Sequence, residues 1–241
     1  MIGSGATNSC MLRTLDLLVC RCYHDLMTLH LIHPGTGELV AIDHVTSDHH
    51  FFHTNIISYC DRPHNSIAHM NSDLVARWNA VVAPDDVVLN LGDVFLGRDL
   101  ELIHALLQLL NGELLLLGGN HDEISSLFSA AKQEAFTPVY EEHFELLPEE
   151  GVQLVVDAGT DRELALLASH YPYLAVDDHR ARRRLDRLRP TDEGLPLLHG
   201  HTHSYHVHEN GWRMFHVGVD AHDFTPVSAA TIVEWRRSIE V

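Results

Sequence analysis

The chain has 241 residues, a length that suits a single domain with a sizeable core. Its 34 acidic residues outnumber its 16 basic ones. The resulting formal net charge of −18 argues against sequence-independent binding to nucleic acid or to an anionic membrane, because both depend on clustered positive charge. Histidines are so numerous, 21 in all, that the position of a histidine has to indicate its role.

Cysteine usage and hydropathy predict a reduced, cytoplasmic protein that does not enter a membrane. The four cysteines show no disulfide pattern, and one Cys-x-Cys without a second pair is weak evidence for zinc. The apolar stretch at residues 15–22 is interrupted by Asp16 and Arg21, unlike the core of a signal peptide. No apolar run is long enough to cross a bilayer.

A hairpin is the first predicted element. Residues 26–32 and 38–45 flank the sequence Pro-Gly-Thr-Gly, which indicates two strands joined by a turn. The second strand leads directly into Thr46, Ser47 and Asp48. We expect residues 1–40 to form an N-terminal extension that contains this edge hairpin, and residues 41–241 to form the main domain.

Two helices and two strands are predicted next, in alternation. From residue 65 onward, apolar residues recur at three- and four-residue spacing, which is typical of an amphipathic helix that ends before Pro84. A second helix fits residues 99–110, where Asp99 can cap the start and Asn111-Gly112 can end it. The strands are short apolar runs at residues 87–91 and 114–117, and each leads to a glycine.

Four further strands are predicted after an irregular acidic segment. They cover residues 152–156, 163–168, 195–198 and 213–217. Between the second and third of these strands, six arginines lie within residues 180–189, in a stretch that suits a short helix ending before Pro190. This cluster predicts either a solvated helix face or, for Arg182, Arg183 and Arg184, contact with a substrate that carries several phosphates.

Five of the apolar stretches end in residues that bind metals. They end in Asp48-His49-His50, Gly92-Asp93, Gly119-Asn120-His121-Asp122, His170 and Gly200-His201-Thr202-His203. If these strand ends share one rim of a sheet, they provide more ligands than one ion needs, and they suit two divalent ions about 3.5–4 Å apart with a hydroxide held between them as nucleophile. Mixed nitrogen and oxygen ligands fit Mn, Fe, Zn, Ni or Co equally.

The spacing within the first and last of these motifs predicts which side chains face the ions. Side chains two positions apart in a strand, or in an extended turn after it, point the same way and can bind one ion. Asp48 and His50 would therefore face the ions from the same side of the chain, and so would His201 and His203. We expect His49 and Thr202 to face elsewhere.

The motifs Asp-x-His, Gly-Asp, Gly-Asn-His-Asp, a lone His and Gly-His-x-His, in this order, resemble those of the calcineurin-like metallophosphoesterases. The resemblance covers roughly residues 45–232 and extends to flanking segments similar to small bacterial and phage-type members, such as HVGVDAHDFTPVS. It implies a four-layer α/β/β/α sandwich with two central mixed sheets. Periodicity alone would equally suit an open, doubly wound sheet.

The resemblance also implies a role for each motif residue. One ion would be bound by Asp48, His50, Asp93 and His203, and the other by Asp93, Asn120, His170 and His201. Asp93 would bridge the two ions, and His121 would protonate the leaving group. For Asp122 two roles stay open: it orients the imidazole of His121, or it makes a structural hydrogen bond to the turn.

Such a centre predicts a phosphate-ester substrate. Two divalent ions, two carboxylates and one hydroxide leave a net charge near +1, which attracts phosphate even in an acidic protein. We expect a small phosphate ester or nucleotide, with a phosphodiester favoured, and no membrane partner; a nucleic-acid substrate is possible but is not indicated by the net charge. His53 and Arg62, just after the first motif, are candidates for contact with the substrate phosphate.

Other functions fit parts of the pattern. A phosphomonoesterase or protein phosphatase would use the same centre, because fold and metals do not fix the substrate. An amidohydrolase also uses His-x-His and a late Asp such as Asp220, but its His-x-His ends the first strand of a longer barrel. A non-catalytic metal-binding scaffold would not need all the inferred ligands together with His121.

Overall fold

Two mixed β-sheets form the centre of the protein. A computed structural model describes residues 28–173, 183–211 and 213–239. The strands are β1 (Leu29–Ile32), β2 (Leu39–Ile42), β3 (His44–Thr46), β4 (Val87–Asn90), β5 (Glu113–Leu117), β6 (Glu145–Leu147), β7 (Val152–Val156), β8 (Leu164–Ser169), β9 (Leu197–His199), β10 (His208–Glu209), β11 (Met214–His216) and β12 (Val227–Ser228).

Six α-helices connect or flank these strands in the described ranges. They are α1 (Ile56–Tyr59), α2 (Ile67–Val81), α3 (Leu100–Leu107), α4 (Ala130–Glu141), α5 (Arg183–Asp186) and α6 (Ala229–Ser238), and a 3₁₀ helix covers Val219–Ala221. The two longest predicted helices are confirmed. Their caps follow the sequence: the side chain of Ser66 accepts a hydrogen bond from the backbone of His69, and that of Asp99 from the backbone of Leu102.

The sheet topology brings parallel strands from both sheets to one rim. The larger sheet has the order β10-β11-β9-β8-β7-β1-β2, and the smaller one β12-β3-β4-β5-β6. In the smaller sheet β3, β4, β5 and β6 run parallel, and in the larger sheet β8, β9 and β11 run parallel. The two mixed sheets implied by the resemblance are confirmed, and the open doubly wound alternative is wrong.

The main core fills the space between the sheets. Alternate residues of facing strands pack there, including Leu29 and Leu31 of β1 and Leu89 of β4, and α6 adds Ile232 and Trp235. A second cluster lies on the other face of the smaller sheet, where α2, α3 and the end of α4 pack. In β4 and β5 alternate residues contact apolar side chains on the two faces of this sheet, so the sequences of these two strands read as continuous apolar runs.

One predicted strand is divided between the two sheets. Residues 38–45 were expected to form a single strand, but β2 pairs with β1 in the larger sheet and β3 pairs with β4 in the smaller one. The break is at Asp43, whose carboxylate and backbone N–H both bond to the backbone of Val87. The predicted hairpin of β1 and β2 does form, and β1 lies between β2 and β7.

The acidic segment after β5 is more regular than its sequence indicates. It was expected to be irregular, yet it contains α4 and β6. The helix buries only Tyr140 and has Pro138 in its last turn, so its sequence lacks the apolar period that reveals a surface helix. None of the helices within the described ranges is long and apolar enough to span a bilayer. Residues 1–27, which include the stretch at 15–22, lie outside those ranges.

Candidate metal centre

The predicted ligand residues meet where the carboxyl ends of five strands come together. After the ends of β3, β4, β5, β8 and β9 come, respectively, Asp48 with His50, Asp93, Asn120, His170, and His201 with His203. The two sheets contact each other here, because the backbone N–H of His201 donates to the carboxylate of Asp48, 2.9 Å from Oδ2. The predicted shared rim is therefore formed by both sheets.

The backbone at these positions has an unusual conformation. Positive φ angles occur at Asp48 (61°), His50 (52°), Asp93 (57°), His201 (68°) and His203 (50°). The expected extended turn is thus wrong, since residues other than glycine rarely adopt this left-handed region. Backbone strain of the kind that these positive φ angles cause is common at functional sites.

His49 was expected to face away from the ions. Its ring does so, because it is buried against Phe51 and Trp78.

Asp93 lies at the centre of the cluster. Its Oδ2 is 3.4 Å from Nε2 of His50 and 3.6 Å from Nε2 of His170, which belong to different sheets. Its Oδ1 accepts a hydrogen bond of 2.8 Å from the backbone of His121. One carboxylate oxygen therefore faces two imidazoles, an arrangement that suits a bridging ligand.

Two of the histidines are oriented by hydrogen bonds behind their rings. Nδ1 of His170 is 2.9 Å from the carbonyl oxygen of Leu91, and Nδ1 of His203 is 2.8 Å from Oδ2 of Asp220. In His170 Nδ1–H donates outward, which leaves Nε2 directed at the cluster as an acceptor. In His203 Nδ1–H donates to Asp220, and although burial lowers the pKa of this ring, that hydrogen bond raises it to about 10. Outer hydrogen bonds of this kind fix the tautomer that a metal-binding histidine needs. Asn120 also points here, with Oδ1 3.2 Å from Nε2 of His170.

The side chains form two adjoining groups of possible ligands. Asp48, His50 and His203 each place a ligand atom within 4.8 Å of the others, and so do Asp48, Asp93 and His170. The carboxylate that these two groups share is that of Asp48, whereas the bridging role was expected for Asp93, so that role stays a prediction. The donors are imidazole nitrogens and carboxylate oxygens, which suit first-row transition ions.

The charges in the cluster also fit bound cations. Burial, together with the charges of Asp122 and Asp48, raises the pKa of Asp93 well above its ordinary value. Burial lowers the pKa of His170 to about 3 and that of His50 well below its ordinary value, so these imidazoles are neutral at pH 7. Buried carboxylates that repel one another beside neutral imidazoles are the environment that a divalent cation stabilises.

Arg62 lies beneath the centre. The side chains of Arg62 and Asp220 are both 0% exposed, and Nε and Nη2 of Arg62 donate to the two carboxylate oxygens at 2.8 and 2.9 Å. Arg62 also donates to the carbonyl oxygens of Asp48 and His49, at 2.7 and 2.8 Å. The expected contact with the substrate phosphate is wrong, because these partners hold the guanidinium in the interior.

Asp220 belongs to this site, although the sequence indicated it only under the amidohydrolase alternative. It receives hydrogen bonds from Arg62 and from His203, and so connects the loop after β3 with the loop after β9. The signal that identified the other residues was available, because Asp220 follows β11, which runs parallel to β9 and ends at the same rim.

Asp122 makes structural hydrogen bonds. Its carboxylate accepts from the backbone N–H groups of Asp93, Val94 and Gly119 at 2.7, 3.0 and 2.8 Å, and from the hydroxyl of Tyr140 at 3.1 Å. Burial raises the pKa of Asp122 to about 6. Of the two roles left open, the hydrogen bond to the turn is the one the structure shows, since these four donors occupy both oxygens.

His121 and His53 lie beside the candidate ligands and are only partly buried. The ring centroid of His121 is 5.1 Å from that of His50 and 5.9 Å from that of His53. His53 in turn lies 5.3 Å from His50 and packs edge-on against the exposed ring of Tyr59. These two imidazoles therefore lie between the ligand cluster and the protein surface.

Gly119 allows the loops after β4 and β5 to approach each other closely. A Cβ atom at this position would lie 2.2 Å from Oδ1 and 2.5 Å from the backbone nitrogen of Asp93. Any other residue would displace the carboxylate at the centre of the cluster. The second glycine of the Gly-Gly-Asn-His-Asp sequence is thus required by close packing.

The arginine cluster is only partly described. Residues 180–182 lie outside the described ranges, and α5 begins at Arg183. Arg187 donates to the carbonyl and hydroxyl oxygens of Ser126, and Arg189 donates to the carbonyl oxygens of Pro172 and Tyr173. Arg187 thus joins this segment to the loop after β5, and Arg189 joins it to the residues that follow β8 directly. The expected substrate contact of residues 182–184 stays a prediction.

Comparisons with known proteins identify relatives over most of the chain. Residues 44–205 match the calcineurin-like phosphoesterase family. The Gene 66 proteins of Mycobacterium phages D29 and L5 are each 35% identical, over 76% and 73% of this chain and 90% and 85% of their own lengths. An uncharacterised protein of Methanocaldococcus jannaschii is 39% identical over 94 residues, which are 39% of this chain and about half, 53%, of that protein.

A solved structure has the same fold. The crystal structure of a protein of unknown function from Aquifex aeolicus matches 79% of this chain and 97% of its own, with a TM-score of 0.56 and 22% sequence identity. At that identity the match supports the arrangement of the two sheets and carries no information about activity.

Proposed function

Because the chain belongs to the calcineurin-like phosphoesterase family, we propose that it hydrolyses phosphate esters at the candidate metal centre, with phosphodiesters as the favoured substrates. The observation that carries the proposal is the buried cluster in which Asp93 faces His50 and His170 from opposite sheets. A scaffold that only stabilised the fold would have no need for carboxylates and neutral imidazoles gathered at one rim.

The proposed ligands are those that the sequence motifs indicate. Asp48, His50, Asp93 and His203 would hold one divalent ion, and Asp93, Asn120, His170 and His201 the other. Ions bound there would supply Lewis acidity toward a phosphate oxygen and toward water, and Mn, Fe, Zn, Ni or Co would suit the donors. The protein's own contribution is to hold these groups in place through Arg62, Asp220 and Leu91 before a substrate arrives.

His121 is the proposed proton donor to the leaving oxygen. Its backbone is fixed by the hydrogen bond to Asp93, while its ring lies at the partly open side of the cluster. An imidazole in this position can hold a proton on the nitrogen directed at a bound ester and transfer it as the P–O bond breaks. Its neighbour Asp122 supports the loop through backbone hydrogen bonds.

His53 is the proposed contact for the substrate phosphate. It lies beside His121 and half-buried, so its ring can reach an ester that occupies the centre. Diesters are favoured because they carry one negative charge where monoesters carry up to two. A chain of net charge −18 repels the dianion more strongly at long range. A cyclic nucleotide or an internucleotide linkage of an oligonucleotide would present the same phosphodiester group.

The test compares two chromogenic esters. Protein stripped with a chelator and reloaded in turn with Mn, Fe, Zn, Ni or Co ions, Mn²⁺ first, would be assayed with bis(p-nitrophenyl) phosphate and with p-nitrophenyl phosphate. Turnover of the diester that Asp93→Ala abolishes, and that His69→Ala leaves unchanged, would support the proposal; His69 is an exposed histidine on α2. Faster turnover of the monoester would favour a phosphatase. No turnover of either ester with any of the five metals would contradict hydrolysis at this site.

The proton-donor role needs a second pair of substrates. His121→Ala should lower kcat by about 10²–10⁴ for a diester with a strongly basic alkoxide leaving group. The loss should be clearly smaller for the p-nitrophenyl diester, because its leaving oxygen is weakly basic and needs little protonation. An equal loss for both esters would contradict proton donation by His121 and would leave it a binding role.

A further inference from the structure

A second group of possible metal ligands lies outside the centre described above. His104 of α3 and the residues at the end of α4, Glu142 and His143, form what we call the His104 cluster. Nδ1 of His104 is 3.0 Å from Nε2 of His143 and 3.4 Å from Oε2 of Glu142. The three ligand atoms lie within 4.8 Å of one another. Neither the phosphoesterase motifs nor the proposed reaction uses these residues.

The separations suit a tetrahedral transition ion. Zinc binds imidazole nitrogen at about 2.0–2.1 Å, which places two ligand atoms of a tetrahedral site about 3.3 Å apart. The observed 3.0 and 3.4 Å differ from that value by only a few tenths of an ångström. The two rings lie edge to face with centroids 4.8 Å apart, so a small shift can direct both lone pairs at one point.

Gln108 contacts Nε2 of His104, the ring nitrogen that does not face His143. Its side-chain amide nitrogen is 2.7 Å from Nε2 of His104, one helical turn along α3, and donates to it. Rotation of the amide by 180° would bring its oxygen to this position, so that Nε2–H of His104 donates to that oxygen and Nδ1 becomes the lone-pair nitrogen that faces His143. A metal-binding histidine commonly has such a partner on its other nitrogen.

We propose that the His104 cluster binds a zinc-like divalent ion, with two imidazoles and one carboxylate as ligands and a fourth position open to water. The donor set disfavours Mg²⁺ and Ca²⁺, which prefer oxygen ligands throughout. The ion would join α3 to the end of α4. Close to that end, the hydroxyl of Tyr140 bonds to Asp122, so the site would fix a helix that supports the loops of the main centre.

The experiment counts zinc ions and measures their affinity in the full chain. Because the main centre also binds metal, all variants are made on an Asp93→Ala background, which removes its central carboxylate. His143→Ala and Glu142→Gln are compared with Glu141→Gln, a matched control that neutralises the adjacent exposed carboxylate outside the cluster. Zinc is titrated against a chromophoric chelator, and the melting temperature is recorded in chelator and in zinc.

The expected result is the loss of one zinc ion per chain in His143→Ala and a zinc affinity at least about tenfold weaker in Glu142→Gln. Glu141→Gln should match its parent. In chelator, all variants should melt near the parent temperature, which shows that they fold. Equal zinc stoichiometry and affinity in the parent, His143→Ala and Glu142→Gln would overturn the proposal, whatever the outcome of the ester assays.

Discussion

Replacing Arg62 with Met tests whether the buried ion pair beneath the centre holds its ligand loops. Methionine retains most of the aliphatic volume but removes the guanidinium. The change leaves the carboxylate of Asp220 buried with His203 as its remaining charged partner. It also removes the donor to the carbonyl oxygens of Asp48 and His49. The expected result is a large loss of stability together with weaker metal binding.

The magnitude follows from burial. Both side chains of the Arg62–Asp220 pair are 0% exposed, and removing one partner of such a pair costs about 3–5 kcal/mol, because the other charge stays in the interior. In a domain of this size each kcal/mol lowers the melting temperature by about 2–4 °C, so we expect a decrease of about 6–20 °C. Loss of the support behind Asp48 and His203 should weaken metal binding by about 10–100-fold.

Arg77 provides the matched control. It also bonds to carboxylates, those of Asp73 and Asp223, both at 2.8 Å, but its side chain is 36% exposed. Arg77→Met should therefore change the free energy of unfolding by about 1 kcal/mol or less. Urea unfolding of metal-free protein gives both free energies, and calorimetric titration with Mn²⁺ gives the affinities. A loss for Arg62→Met no larger than that for Arg77→Met, with unchanged metal affinity, would refute the reasoning.

Three further changes test the same region. Tyr140→Phe removes the hydroxyl that donates to Asp122 and should lower the free energy of unfolding by about 1–3 kcal/mol; an unchanged urea midpoint would contradict this. Asp93→Asn removes one of several mutually repelling buried carboxylates, so metal-free protein should melt at a higher temperature and gain less from added Mn²⁺ than the parent does. Gly119→Ala should displace Asp93 and abolish ester turnover, and full activity would show that the loop can adjust.

The sequence predicts the positions of the candidate ligands because strand ends leave a strong signal. An apolar run that stops at glycine and continues with Asp, Asn or His can be read locally, and parallel strands bring such ends together. His170 illustrates this: a single histidine among many was identified only by its place after β8. The local sequence pattern does not identify the group to which each side chain bonds. The hydrogen bond from His170 to Leu91 was therefore not predictable.

The role of Arg62 depended on contacts that are distant in sequence. Its partner Asp220 lies 158 positions along the chain, and nothing near residue 62 shows that the guanidinium is enclosed. Asp122 was a similar case, because whether it faces the imidazole of His121 or the backbone of Asp93 depends on how two loops pack. Pairings of this kind are decided by tertiary structure, whereas helix caps such as Asp99 are decided by neighbouring residues.

The geometry of the centre is established by the protein's own hydrogen bonds. Positive φ angles at five of the ligand positions carry a conformational cost, and such conformations persist only where surrounding contacts determine them. Here those contacts are Arg62 with the carbonyl of Asp48, Asp122 with the backbone of Asp93, and Asp48 with the backbone of His201. Each joins a ligand loop to another element. The affinity of the candidate centre for a metal should therefore depend on these supports as well as on the ligands.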